Sequence, residues 1–109
     1  MTTYAEGTYK VGPDSLIRIS GTEHDLTTGY WVAETDYPAP ANDNVLHKFA
    51  EELVISYGVD YVGIYINSKN ETKIDASHHV EDLLQAVAIG RYWGQESIWD
   101  IKHSQLIYI

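Results

Sequence analysis

The sequence predicts an α+β domain: two helices packed on one face of a mostly antiparallel sheet, in the order β-β-α-β-(β)-α-β-β. Two observations carry this. One segment, Val45 to Tyr57, repeats apolar residues at helical spacing, and the runs on either side of it are short, aromatic and β-branched, as strands are. The length of 109 residues fits a single domain spanning 1–109.

Residues 1–12 hold Thr, Tyr and Gly with little apolar pattern and read as a loose arm or an edge strand. Gly12-Pro13-Asp14-Ser15 is a turn, because Pro presets its backbone angle and Asp and Ser bond locally. A strand follows over 16–20, a polar loop over 21–29, and a second strand over 30–35. The two strands are expected to pair as an antiparallel hairpin with a long loop. Tyr37-Pro38-Ala39-Pro40 interrupts regular structure, since Pro cannot donate to a ladder. Asn42, Asp43 and Asn44 offer capping oxygens to a helix over about 44–57, and Gly58 is its left-handed stop.

Residues 60–67 read as a buried strand in which Gly63 marks a bulge or a close approach by another backbone. Ser68 to Asn70 is a turn, and 71–75 returns as a short strand. Ser77 is then expected to cap a second helix, with Val80, Leu83, Leu84 and Val87 inward and Gly94 at its end. Residues 97–102 and 106–109 complete the set as strands. Tyr-rich strands offer cover for the sheet face that the helices leave open.

Composition excludes several functions. Seven basic residues face sixteen acidic ones, a formal charge of −9, which argues against direct nucleic-acid binding and against an anionic membrane surface. No cysteine is present, so disulfides, thiolate catalysis and iron–sulfur clusters are ruled out. No basic-then-apolar leader and no long apolar run appears, and a soluble cytoplasmic protein is expected. The glycines are scattered, without a phosphate-binding pattern, and Asn70-Glu71-Thr72 matches the glycosylation sequon without a secretory signal.

Five histidines invite a metal or acid–base reading. His78-His79, adjacent at a helix start, would diverge by about 100° and would not chelate together. His47 and Glu51 share a helix face and read as a solvent-facing pair. Glu23-His24-Asp25, and Asp100 with His103, place carboxylates beside histidines but offer no nucleophile. No metal, cofactor or catalytic residue is expected, and the reading is non-enzymatic.

Nine Tyr and three Trp stand against one Phe, a bias that suits either strands or interfaces. Charge has a direction: Ser20 to Leu46 holds no Lys or Arg but carries Glu23, Asp25, Glu34, Asp36 and Asp43. Either this is a solvated acidic surface or it is a negative patch facing a partner's basic groove, where carboxylates around aromatic anchors occupy a site built for phosphates.

A small, acidic, cysteine-free chain with this plan and no catalytic motif resembles the small proteins of phages and other mobile elements, among them anti-CRISPR and related anti-defence inhibitors. The likeness is one of general character over the whole chain and rests on no alignable motif. Gly94-Gln95-Glu96-Ser97-Ile98-Trp99-Asp100, a helix-to-strand passage, is similar to segments of uncharacterised phage-type families. The resemblance implies stoichiometric binding to a larger protein or nucleoprotein, by blocking a nucleic-acid site in the host cytoplasm, and it carries over no functional residue. The expected partner-binding residues are Glu23, Asp25, Glu34, Asp36 and Asp43 for charge, with Tyr30, Trp31 and Tyr37 as anchors. The alternatives are a homo-oligomeric interaction module that pairs through the 106–109 edge, and a small His/carboxylate enzyme or ligand-binding domain. A monomer or a homodimer is compatible with either binding reading.

Overall fold

The computed structural model describes residues 2–19 and 27–109. Among them eight strands and two helices run in the order β1 (Gly7–Val11), β2 (Leu16–Arg18), β3 (Tyr30–Ala33), β4 (Tyr37–Pro38), α1 (Asp43–Tyr57), β5 (Tyr61–Ile66), β6 (Thr72–Val80), α2 (Leu83–Tyr92), β7 (Ser97–Asp100) and β8 (Gln105–Tyr108). All pairings are antiparallel, with spatial order β2-β1-β5-β6-β3-β7-β8, and β4 also lies along β6. The class is α+β, as expected.

Both helices cover the same face. Leu46, Ala50 and Leu53 of α1 pack on Tyr9, Val62, Ile64 and Ile74. Ala86 of α2 packs on Val32 and Ile98. The helix ends follow the local signals: the Asn42 side chain accepts from the Asn44 and Val45 N–H groups at 2.9 and 3.1 Å, and Gly58 closes α1 at φ 65° with its N–H on Val54.

Four expectations are corrected. First, residues 7–11 are neither an arm nor an edge: β1 sits between β2 and β5. Second, the strand at 16–18 does not pair with that at 30–33; β2 returns on β1 through the Gly12–Ser15 turn, and β3 lies between β6 and β7. A tight turn closes at less entropic cost than a long loop.

Third, Ser77 caps no helix. β6 runs on to Val80, paired with β5 up to Ser77 and with β3 from Ser77 to Val80. Pairing with β3 outweighs the helical spacing of that stretch, and α2 begins beyond it with the Asp82 carboxylate accepting from the Gln85 N–H at 2.9 Å. Fourth, Gly63 makes no bulge, since 61–66 pairs with 72–77 in unbroken register. Its missing side chain makes room for a side chain instead: a Cβ there would lie 2.7 Å from Asp75 Oδ1 and 2.9 Å from Ser77 Oγ.

Candidate functional site

One extra residue in the chain along β6 builds the site. Ala33 pairs with Ser77 and Tyr37 with Ile74, so three residues of the β3–β4 chain span two of β6. Glu34 donates its N–H to Ala76 at 2.9 Å, and Thr35 Oγ1 accepts the Ala76 N–H at 3.0 Å. Such a bulge reverses the side-chain alternation beyond it. Glu34 and Tyr37 therefore both face the helix layer, while Asp36 points to the open face, where the Tyr65 hydroxyl donates to it.

Tyr37 meets α1 there. Tyr37, Phe49, Glu52, Leu53, Ser56 and Tyr57 line a shallow groove of about 440 Å3. The Tyr37 and Tyr57 hydroxyls are 2.7 Å apart, and Phe49 stands edge-on to Tyr37 with centroids 5.4 Å apart. The bond to Tyr37, with some burial and the nearby Glu34 charge, raises the Tyr57 phenol above the ordinary tyrosine range. Glu34 extends the site toward α2. His78 Nε2 donates to Glu34 Oε1 at 2.9 Å, and the His78 ring lies against Trp93 with centroids 4.6 Å apart. Two linked sets thus lie on the helix side, Trp93–His78–Glu34 toward the end of α2 and Tyr57–Tyr37–Phe49 along α1, with the Glu34 charge acting on the Tyr57 phenol.

The groove carries the carboxylate of Glu52, the Glu34 charge acts on its Tyr57, and no Lys or Arg is among its lining residues. Aromatic faces beside carboxylates suit a guanidinium or ammonium group, by stacking and by charge-assisted hydrogen bonds.

The other expected site residues lie elsewhere. Tyr30 packs under α2 on the helix side. Trp31 is on the open face, 5.0 Å from Tyr61 and 5.3 Å from His79 by ring centroids. Asp43 sits at the start of α1, where the Thr2 and Thr3 side chains and the Thr3 N–H hold its carboxyl below the usual range. Glu23 and Asp25 lie outside the described residues. Of the expected residues the structure therefore puts Tyr37 in the groove, with the Glu34 charge near enough to act on Tyr57, and sends Tyr30, Trp31, Asp36 and Asp43 to other places.

Sequence reasoning missed Phe49, Glu52, Ser56, Tyr57, His78 and Trp93 as neighbours of one site. The available signal was the spacing of Phe49, Glu52, Leu53 and Ser56, which shares one flank of a helix.

The histidines are also rearranged. His78 and His79, consecutive on β6, point to opposite faces of the sheet. His47 is buried rather than solvent-facing, with Nε2 2.7 Å from the Gly12 carbonyl and Nδ1 3.5 Å from Glu51. His103 Nδ1 donates to Asp100 at 2.7 Å across the β7–β8 turn. Burial alone would raise Asp100, but hydrogen bonds from His103 and Lys102 outweigh it and leave the carboxyl below its ordinary value. Among the described residues no three His, Asp or Glu side chains come together as metal ligands, and no helix is long and apolar enough to cross a membrane.

Comparison with protein-family profiles, with curated proteins and with solved structures gives no match.

Proposed function

We propose that the protein is a non-enzymatic inhibitor that binds the basic, nucleic-acid-binding surface of a larger protein or nucleoprotein complex. The likeness to anti-CRISPR-type proteins makes a host defence complex the partner of choice. The observation that carries the reading is the groove between β4 and α1: Tyr37, Phe49 and Tyr57 beside Glu52, with the Glu34 charge acting on Tyr57 and no cation in the lining. A net charge of −9 steers the protein toward a basic partner, and salt screens that attraction. This surface differs from the one the sequence predicts, because of those residues it uses Glu34 and Tyr37 and takes its other members from α1.

An oligo-arginine peptide serves as the probe in an NMR titration. Shift changes centred on 34–37 and 49–57, weakening as salt rises and lost in an E34Q/E52Q double variant, are expected. Binding unaffected by that variant, or centred elsewhere, overturns the proposal. A non-covalent complex of the same peptide with a single-stranded nucleic acid tests competition, and the protein should release the strand from the peptide.

A further inference from the structure

The two edges of the sheet are built differently. β2 is three residues long, follows the Pro13 turn and carries Arg18; short length, proline and charge are the usual protections of an edge. β8, Gln105-Leu106-Ile107-Tyr108, is one residue longer and has neither proline nor a charged side chain. Its outward residues form an exposed apolar strip on the open face: Tyr108 is 77% exposed, Leu106 47% and the adjoining Trp99 39%. Trp99 in turn pairs with Trp31, so the strip continues inward over β3.

Backbone direction fixes how this edge can be used. Ile109 donates its N–H to Glu96 at 2.9 Å, so it faces back toward β7. Alternation along an antiparallel ladder then turns the N–H and C=O of Ile107 toward β7 as well, and those of Leu106 and Tyr108 outward. A second β8 laid antiparallel with Ile107 opposite its own copy places Leu106 opposite Tyr108 of the partner, twice. Each of those pairs exchanges both of its hydrogen bonds, so four form in all. The same register sets an aliphatic side chain against an aromatic one on the open face at both sites, a favourable cross-strand pair.

Charge selects the occupant. β8 carries no Asp, Glu, Lys, Arg or His, and its open-face neighbours Trp99 and Ser97 carry no charge. Asp100 faces the helix side and is held by His103. A basic partner therefore finds no counter-charge at this edge, whereas two copies of a chain of charge −9 meet here with the least repulsion.

We propose that β8 is a self-association edge, through which two copies join in a two-fold dimer with one sheet continuous across both. The axis stands perpendicular to the sheet, so both helix layers lie on one side and both α1 grooves remain open.

The test is sedimentation of the full chain over a wide dilution series. The wild type is expected at twice 12.3 kDa, dissociating to 12.3 kDa on dilution. Tyr108→Lys, at a position exposed in the single chain, places an ammonium in each of the two cross-strand pairs and should weaken association about tenfold per site, or about a hundredfold in all. Its far-ultraviolet spectrum should match the wild type. Ile107→Cys gives a second readout, because the chain has no other cysteine and only the proposed register brings residue 107 against itself. Oxidation should cross-link it, while Ile17→Cys on the β2 edge stays monomeric. A wild type that is monomeric throughout overturns the proposal. So does a dimer indifferent to Tyr108→Lys, or one that cross-links at 17 and not at 107.

Discussion

Replacing Asp75 by Asn is expected to stabilise the protein, and increasingly so as pH rises. Asp75 lies on the open face of β6, opposite Gly63 and between Lys73 and Ser77, yet only 6% of it is exposed. Burial pushes its carboxyl up to about 7, with a further push from the Asp36 charge, against the lowering effect of the Ser77 hydroxyl at 2.5 Å and the Gly63 N–H. In the unfolded chain the same group titrates near 3.8.

The folded state thus holds a proton that the unfolded state has released. Stability from this group is complete below about pH 3.8 and is lost progressively as pH rises through about 7. A difference of about 3 pKa units corresponds to ~4 kcal/mol at the alkaline end. Asn keeps the acceptor for Ser77 and Gly63 and cannot ionise. Its stability should be close to the wild type at pH 4, and the gap between the two should widen by roughly 2–3 kcal/mol between pH 5 and pH 8. Urea unfolding of both proteins at several pH values measures this, and the other titrating groups cancel in the difference. A gap that stays constant with pH would show that Asp75 titrates alike folded and unfolded, and the burial argument would fail.

Three further substitutions test the packing around this frame. Gly63→Ala drives a methyl group to 2.7 Å from the Asp75 carboxylate and should cost ~1–3 kcal/mol in urea unfolding; in an Asp75→Ala background the cost should fall, because the carboxylate oxygen it meets is gone. Asn42→Ala removes the side-chain oxygen that accepts from Asn44 and Val45 and should cost about 1 kcal/mol, read as the shift in unfolding midpoint at unchanged slope. Leu46→Ala empties a fully buried position between α1 and the sheet and should cost ~2–5 kcal/mol, against little change for Ile55→Ala on the exposed side of the same helix.

What could be read in the sequence was what neighbouring residues decide. Asn42, the apolar repeat and Gly58 state a helix within sixteen or so residues, and α1 lies where they put it. The turn at Ser68 to Asn70 likewise announces the β5–β6 hairpin, with Asn70 at φ 60°. Pairing across long separations leaves no such mark. Nothing local in Tyr30-Trp31-Val32 says that its neighbours are β6 and β7 rather than β2. The stretch around His78 carried a helical spacing that pairing with β3, far away in the chain, overrode. The candidate site suffered most, because one inserted residue decides its membership. Glu34, Asp36 and Tyr37 are neighbours in a single acidic, aromatic stretch, but the bulge sends Asp36 to Tyr65 and turns Glu34 and Tyr37 toward α1.

The same bulge separates the two surfaces proposed for this protein. With Tyr37 turned to the helix side, the acidic groove belongs to the layer formed by α1 over β1, β5 and β6. The uncharged strip of Trp99, Leu106 and Tyr108 belongs to the opposite face at the β8 edge. β6 and β8 are three strand spacings apart, about 14 Å, and the sheet itself stands between the two surfaces. Carboxylates at a self-pairing edge would repel the second copy, and an apolar strip in the groove would weaken its attraction for a basic partner. On the proposed reading, an uncharged β8 edge and an acidic groove on the other face would let a chain of charge −9 associate with itself and still present its groove, in two copies, on one side of the assembly.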